Sequence, residues 1–373
     1  MTVLSLVIPV FNEENTLENI VKKVFEIEKE QYALENNISI EAILVDDCST
    51  DNSAEIIKKI AENNPKIKTC FHKVNSGKGA ALKTGFLEAS GDYIGIQDAD
   101  NEYNPKEYLK LLAPLLEDKA DVVFGSRYLK QDTRRILYFW HTCMNKTLTL
   151  LTNMYTNLDI TDMETCYKLF KKDVIKSIAP KLKENRFGFE PEVTIYVAKG
   201  NYRVYECAIS YNPRTYEEGK KIGAKDGLRA LYCILHYGAN TASIPMQFIL
   251  YIIIGGISAL ANILSFMIFV NIFDNLIVNV ALAFIISSAI NYILCILLLF
   301  RHKARWSSAG EILTYIITLI IMGSIDYYST YLLLAAGFNN FFAKTISSAV
   351  GIVGNFLLRK YFVFPEKKLT KLK

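Results

Sequence analysis

Two carboxylates one residue apart, Asp98 and Asp100, close the apolar run YIGIQ. At a strand end such a pair can hold a divalent ion. Hard oxygen ligands select Mg²⁺ or Mn²⁺, ions that keep waters and bind substrate phosphates. Glu102 could add a third oxygen. A bare Asp-x-Asp also arises as a solvated acidic turn, and both readings stand at this point. Three further segments place polar side chains after apolar runs: VIPVFNEEN with Asn12 and Glu13, LVDDCSTDNS with Asp46 and Asp47, and NSGKGAA with Lys78. Asp46 and Asp47 could accept hydrogen bonds from a base and a ribose, whereas Thr50, Asp51 and Ser53 read as caps of the next helix. NSGKG supplies flexible backbone and a lysine near phosphate height without being a G-x-x-x-x-G-K-[ST] loop; it fits a plain helix-starting turn equally well.

These segments need a scaffold that gathers them. From Val3 to about Ser126, short β-rich runs (VLSLVIP, ISIEAILVDD, KIKTCFH, YIGIQDAD, DVVFGS) alternate with helical stretches ending near Glu35, Asn63, Ala89 and Leu116. Such alternation predicts βαβ units, an α/β Rossmann-like sheet that is mostly parallel, and ligand binding where the strands end. Residues 127–224 have weaker periodicity: a basic stretch (Lys130, Arg134, Arg135), a helix near Pro191 to Ala198, a strand near Tyr202 to Ser210, and the charged loop YNPRTYEEGKKIGAKDG. They read as an acceptor-side extension of the same domain, residues 1–224. Leu228, Leu231, Tyr232 and Leu235 have near-helical spacing, which predicts an interfacial amphipathic helix over 225–244.

Four apolar runs follow, near 247–272, 277–300, 311–335 and 341–358, each long enough to span a bilayer. They predict a four-helix transmembrane domain over 245–364 and a basic tail over 365–373. The middle loop carries Arg301, His302, Lys303 and Arg305, and the end of the chain carries Arg359, Lys360, Lys367, Lys368, Lys371 and Lys373. The positive-inside rule therefore predicts an integral membrane protein with its first domain and both termini cytoplasmic. A shift of 64 positions superposes Tyr251 on Tyr315, Asn275 on Asn339, Asn291 on Asn355 and Phe300 on Phe364, which predicts two hairpins in parallel repeat. Asn262, Asn291 and Asn355 read as interhelical glue. Asp326, aligned with Asn262, fits a functional site or a shallow headgroup contact equally well. Trp140 and Trp306 read as interfacial anchors.

Composition narrows the partners. In 373 residues, 51% hydrophobic and 21% charged, the net charge is +4 and mean hydropathy is +0.18, high for a purely soluble enzyme. The lysines are not interleaved with aromatics along a stripe, which argues against nucleic acid. Seven scattered cysteines without C-x-x-C spacing read as reduced thiols. The N-terminus has no basic n-region before its first strand, so no signal peptide is expected.

The ordered motifs VIPVFNEEN, VDDCSTDNS, NSGKGAALKTGF, QDADNEYNP and GSRY resemble the GT-A fold of family 2 glycosyltransferases, in the dolichyl-phosphate mannose synthase and polyprenyl-phosphate glucosyltransferase group. The helical tail is similar to the GtrA-like membrane domain fused to some of them. The resemblance implies nucleotide-sugar contacts from Pro9, Phe11, Glu13, Asp46, Asp47, Lys78, Asp98 and Ala99. It also implies a Mn²⁺ or Mg²⁺ site at Asp98, Asp100 and Glu102, with Asp100 the more direct ligand. Arg127 matches an arginine that holds the lipid phosphate, and His141 and Asn145 stand where relatives often carry Arg and Ser. Arg214 and Lys220 match a basic loop that closes on the donor phosphates. A DPxSGF-like segment becomes Asp162-Met-Glu-Thr-Cys-Tyr, leaving Glu164 unassigned, and Glu190 stands where some relatives have Lys.

The implied reaction is inverting, metal-dependent transfer of a hexose from a GDP-mannose or UDP-glucose type donor to a dolichyl or undecaprenyl phosphate. Partners are then donor, acceptor and bilayer, and a homo-oligomer remains open. A processive polysaccharide synthase would carry a QxxRW motif, which is missing here, and an oxidoreductase a GxGxxG after the first strand. A lipid-linked sugar translocator is the remaining alternative.

Overall fold

The computed structural model describes residues 1–130, 133, 135–214, 223–238, 242–299 and 308–364. They form two compact units, Met1–Thr241 and Ala242–Lys373. Seven strands build the sheet of the first unit: β1 (Thr2–Val10), β2 (Ile38–Asp46), β3 (Ile67–Phe71), β4 (Tyr93–Ile96), β5 (Val122–Ser126), β6 (Lys168–Lys171) and β7 (Val204–Ala208). Their order is β3-β2-β1-β4-β6-β5-β7. All neighbouring pairs are parallel except those of β6 with β4 and β5. The helices around it are α1 (Leu17–Glu26), α2 (Gln31–Glu35), α3 (Ser53–Glu62), α4 (Lys78–Glu88), α5 (Tyr108–Leu116), α6 (Phe139–Thr156), α7 (Lys172–Ile178), α8 (Phe189–Lys199) and α9 (Ala224–Gly238).

β2 is buried along its whole length, as a central strand covered on both faces must be, and this accounts for its apolar stretch from Ala42 to Val45. Helix α4 packs on the sheet so closely that a Cβ at Gly85 would lie 2.2 Å from the Val7 side chain. The chain runs outward from β1 through β2 to β3, then returns to the other side of β1 as β4. That reversal opens a crevice at the carboxyl ends of β1 and β4, where ligands bind in such sheets. β6 is the strand that sequence reasoning missed. It has four residues, KLFK, and its first, Lys168, is fully buried, so neither alternation nor apolarity marks it.

One buried carboxylate on β2 gives the sheet a pH dependence. Glu41 pairs with Lys68 at 2.8 Å and accepts hydrogen bonds from Ser5 Oγ and from the backbone and side chain of Ser90. Burial would raise its pKa, but Lys68 and these hydrogen bonds outweigh burial and hold it down at about 2. A depressed carboxylate stabilises the fold above its unfolded pKa and loses that contribution as pH falls from about 4.5 toward 2. Because Lys68 is partly solvated, Glu41→Gln is expected to cost roughly 1–2 kcal/mol at pH 7. In thermal melts of the full chain, the gap between variant and parent should close as pH is lowered toward 3. A gap independent of pH would remove this assignment.

Helix α9 ends at Gly238 and belongs to the first unit. Ala230, Cys233, Ile234 and Tyr237 are buried on one face, where Arg229 and Tyr237 both bond to the Glu184 carboxylate. Leu228 and Tyr232 are left exposed on the other.

The second unit contains α10 (Ile244–Val270), α11 (Leu276–Leu294), α12 (Ser308–Ala335) and α13 (Asn340–Leu358). Ile244–Val270 and Leu282–Leu299 are long and apolar enough to cross a membrane, and Ile312–Met322 is a shorter apolar stretch. Helix α11 packs on α10 and α13 on α12. Both α11 and α13 run directly into a π-helical turn, Cys295–Leu299 and Arg359–Val363, and the bounds of α11, α13 and these turns repeat at an offset of 64. Asn262 donates to Ser287 Oγ at 3.2 Å and Asn291 to Ser258 Oγ at 3.0 Å, so both asparagines tie α10 to α11. Arg301, His302, Lys303, Arg305, Trp306 and the basic tail lie outside the described residues, as does the side chain of Asp326.

Candidate active site

The loop after β1 and the loop after β2 are clamped together. Asn12, in the left-handed region at φ 53°, donates its backbone N–H to Ser49 Oγ and accepts from the Thr50 N–H. Ser53 Oγ accepts from the Glu13 N–H and Asp51 from the Glu14 N–H. Asp51 caps α3 as expected, its Oδ1 accepting from the Ser53 N–H at 2.9 Å, while its other oxygen and Ser53 Oγ bridge to the first loop. Those bridging partners lie about forty positions away, beyond the reach of a local capping pattern.

Asp47 is buried and accepts from the backbone N–H groups of Ser76 at 2.9 Å and Gly77 at 2.6 Å, with His72 Nδ1 at 2.7 Å. It thereby fixes the NSGKG turn. Gly77 has φ 97°, and a Cβ on Gly79 would lie 2.2 Å from the Glu184 carbonyl oxygen. These glycines are needed for the close passage of residues 184–186, a constraint that the reading of NSGKG as flexible backbone did not contain. Gly79→Ala should cost roughly 1–3 kcal/mol by overpacking. Denaturant unfolding of the full chain measures it, and a cost below a few tenths would contradict the close approach.

A cavity of about 690 Å³ opens at the ends of β1 and β4. Pro9, Phe11, Glu13 and Asp47 line it from the first two loops, and Lys78 from the start of α4. Asp98, Ala99, Asp100 and Glu102 enter from the loop after β4, Arg127 from the end of β5, His141 and Asn145 from α6, and Arg214 from beyond β7. Asp46 is buried next to this group without lining the cavity; it accepts from the Ser49 N–H. Lys220 lies outside the described residues.

Charge organises the cavity into three sets. In the first, Lys78 Nζ lies 2.8 Å from Asp98 and 3.5 Å from Glu190, and donates to Cys166 Sγ. Burial alone would depress this ammonium, but Asp98, Cys166 and Glu190 more than offset it and hold its pKa well above the usual lysine value. Burial would likewise raise the Asp98 carboxyl, and Lys78 outweighs that and lowers it.

In the second set, the Arg214 guanidinium reaches Asp100 at 2.8 Å, Glu13 at 3.2 Å and Glu102 at 3.3 Å. Tyr211 also donates to Glu102 at 2.7 Å. Burial, then the charges of Asp98 and Glu102, push the Asp100 carboxyl up to about 7, against the pull of Arg214. Among the described residues no three carboxylate, imidazole or thiol groups already converge as a cage for an ion. Three hard-oxygen donors do converge on one cation, the guanidinium, and this donor set suits Mg²⁺ or Mn²⁺.

In the third set, Arg127 makes a bidentate pair with Asp162, Nε to Oδ2 at 2.7 Å and Nη2 to Oδ1 at 2.8 Å, and its backbone N–H also donates to Oδ2. Burial alone would depress the guanidinium; Asp162 outweighs it and raises its pKa. The guanidinium carbon stands 5.0 Å from the centre of the Tyr211 ring. Thr161 and Asp162 are in turn held through their backbone by Glu206.

Sequence reasoning had not assigned Glu164, Cys166, Glu190 or Tyr211 to the site, and all four line the cavity. One oxygen each of Glu164 and Glu190 is buried without a hydrogen-bond partner. Burial, with Glu190 adding to it, pushes the Glu164 carboxyl up to about 8. The available signal was the acidic departure at these two positions. At the rim, Trp140 and Met144 of α6 are largely exposed although they line the cavity, and Ile136, Tyr138 and Phe139 are exposed beside them.

A mostly parallel, doubly wound sheet with an Asp-x-Asp pair at its switch point, facing one acidic cavity, is the GT-A architecture. Residues 5–179 match Glycosyl transferase family 2, and residues 250–364 match GtrA/DPMS, transmembrane domain. The chain thus carries a family 2 glycosyltransferase domain followed by a GtrA/DPMS transmembrane domain. It is similar to dolichyl-phosphate beta-glucosyltransferase ALG5D of Trichomonas vaginalis, 27% identical over 216 residues, covering 56% of this chain and 65% of that one. The chain therefore spans slightly less than two thirds of that relative. It is also similar to the UDP-N-acetylglucosamine–dolichyl-phosphate N-acetylglucosaminyltransferase of Methanococcus voltae, 25% identical over 245 residues, covering 62% of this chain and 94% of that one. Among solved structures, glucosyl-3-phosphoglycerate synthase from Mycobacterium tuberculosis with Mn²⁺, UDP and phosphoglyceric acid aligns with a TM-score of 0.47 at 16% identity, covering 64% of this chain and 78% of that one.

Proposed function

We propose that this chain transfers a hexose from a nucleotide sugar of the GDP-mannose or UDP-glucose type to a dolichyl or undecaprenyl phosphate, with inversion, giving a β-linked lipid-phosphate sugar. The observation that carries the reading is the meeting, in one cavity, of a carboxylate cluster closed on a cation and a separately anchored arginine beside an exposed apolar rim. The relatives' printed names, two of them dolichyl-phosphate glycosyltransferases, support the acceptor class.

In this reading Asp98, Asp100 and Glu102 hold a Mg²⁺ or Mn²⁺ ion, which when bound neutralises charge on the departing nucleoside diphosphate. Pro9, Phe11, Asp46, Asp47 and Ala99 position the nucleotide, and Glu13 orients Arg214. Arg214, with Lys220 on the same loop, exchanges its carboxylate partners for the donor phosphates, and Lys78 stays charged beside them. Glu164 and Glu190 accept hydrogen bonds from sugar hydroxyls through their unpartnered oxygens. Arg127, held flat by Asp162, aligns the acceptor phosphate with His141 and Asn145. A phosphate monoester with a second pKa near about 6 is already largely dianionic at neutral pH, so the attacking oxygen needs no general base. Trp140 and Met144 shelter the first prenyl units.

The domain reading places catalysis in residues 1–224, an interfacial helix in 225–244, supported by exposed Leu228 and Tyr232, and the transmembrane domain in 245–364. The basic loop and the 365–373 tail put the catalytic domain and both termini in the cytoplasm. Purified full chain with Mn²⁺, a polyprenyl phosphate and radiolabelled nucleotide sugars should yield organic-extractable product, lost on chelation and restored by added metal. Product formation unaffected by chelation would remove the metal, and absence of lipid-linked product across the donor panel would remove the transferase reading.

A further inference from the structure

The membrane unit buries two adjacent basic side chains. Arg359 and Lys360 open the π-helical turn after α13, and both are buried, at 5% and 9% exposure. Their partners are all neutral. Arg359 Nη1 donates to the Asn291 side-chain oxygen and lies 3.8 Å from Cys295 Sγ, and Nη2 donates to Tyr315 OH at 3.4 Å. Its Nε–H is buried with no hydrogen-bond partner. Lys360 donates to the Gln247 side-chain oxygen. Among the described residues, no carboxylate pairs with either cation.

Two adjacent buried cations without an anion are costly in a membrane domain, where even one arginine at mid-depth costs on the order of 3 kcal/mol. Their placement points to what balances them. Gln247 and Tyr251 are the fourth and eighth residues of α10, and Arg359 directly follows the last residue of α13. At about 1.5 Å per residue, this layer sits roughly 5–10 Å from one end of the bundle, where hydrocarbon gives way to headgroups. The repeat sharpens the geometry. Tyr251 and Tyr315, equivalent at the offset of 64, face the same guanidinium, their ring centres 5.4 and 4.8 Å from its carbon. The position equivalent to Arg359 is Cys295. The two hairpins thus clamp one cation between matching rings and aim no second charge at it.

We infer that Arg359 and Lys360 form a phosphate-binding site in the membrane unit, with the buried Nε–H of Arg359 as its unpartnered donor. The forked guanidinium suits phosphate oxygens and Lys360 adds a point charge. At this depth a lipid headgroup supplies the phosphate. The site is built from residues of the second unit alone and does not depend on glycosyl transfer.

The test uses the full chain in dodecyl maltoside, with thermal shift and native mass spectrometry against phosphatidylglycerol, inorganic phosphate and a neutral galactolipid. Expected is stabilisation and a retained adduct with a phosphate lipid, with none from the galactolipid. Binding should weaken at least tenfold in Arg359→Gln and in Lys360→Gln and be largely retained in Arg359→Lys. Response to lipid but not to inorganic phosphate assigns a headgroup; equal response to both, lost in the variants, assigns the phosphate group itself. If Arg359→Gln fails to fold, Lys360→Gln alone decides. Equal binding by parent and Lys360→Gln, or equal binding of the neutral galactolipid, overturns the site.

Discussion

Asp100→Ala is expected to lower glycosyl transfer by at least roughly 10³-fold while leaving the fold as stable as the parent. The two halves of this outcome come from one arrangement. Burial, and then the neighbouring charges of Asp98 and Glu102, raise the Asp100 carboxyl to about 7. Its removal relieves repulsion, and Arg214 keeps Glu13 and Glu102 as partners. Stability therefore has little to lose. Activity loses the carboxylate assigned to hold the ion and to set the position of Arg214 before a donor binds. The measurement is initial rate of lipid-linked product at saturating Mn²⁺, alongside a thermal melt of the same preparation. Near-parental rate would remove Asp100 from the metal site. A large fall in melting temperature would instead show that Asp100 is an architectural partner of Arg214.

Arg127→Ala carries the second large effect, and here stability and activity should fall together. The Arg127 side chain is 9% exposed and that of Asp162 is 0%. Truncating the arginine leaves a buried carboxylate without its guanidinium, a change that typically costs about 3–5 kcal/mol. Among the described residues, the Asp162 carboxylate then retains only the Arg127 backbone N–H, at 3.0 Å. Adding Asp162→Asn should recover part of that stability, because the stranded charge is gone, but it should not recover transfer, because no cation remains to align the acceptor phosphate. Denaturant unfolding of the single and double variants tests the first statement. Acceptor-concentration dependence at fixed donor tests the second. Recovery of transfer in the double variant would show that Arg127 acts only by neutralising Asp162.

Much of the catalytic unit was legible in the chain. Central strands are mostly apolar, so β1 and β2 announce themselves, and the polar residues ending such runs are brought to one sheet edge. For that reason Glu13, Asp47, Asp98, Asp100 and Glu102 could be gathered into one site before any contact was known. The 64-residue repeat was equally readable, since hairpins with the same helix boundaries keep the same interfacial residues at the same offset.

Pairings between side chains were not legible, because local pattern holds no information about partners far away in the chain. Arg214 meets Glu13 across 201 positions, Lys168 is buried in a strand without strand periodicity, and Asp162 becomes the partner of Arg127 only when β6 inserts beside β5. The glycines of NSGKG fitted flexible backbone at a phosphate or a plain helix-starting turn; packing made them a tight passage for residues 184–186.

The amino-acid order by itself therefore determined which elements form and which chemical groups stand at their ends, since periodicity and apolarity act within a few residues. Only the tertiary structure decided which charges neutralise one another: Arg214 on three carboxylates, Arg127 on Asp162, and Arg359 on none among the described residues. Those choices depend on burial, where an ion's energy is set by whatever the fold happens to bring within a few ångströms.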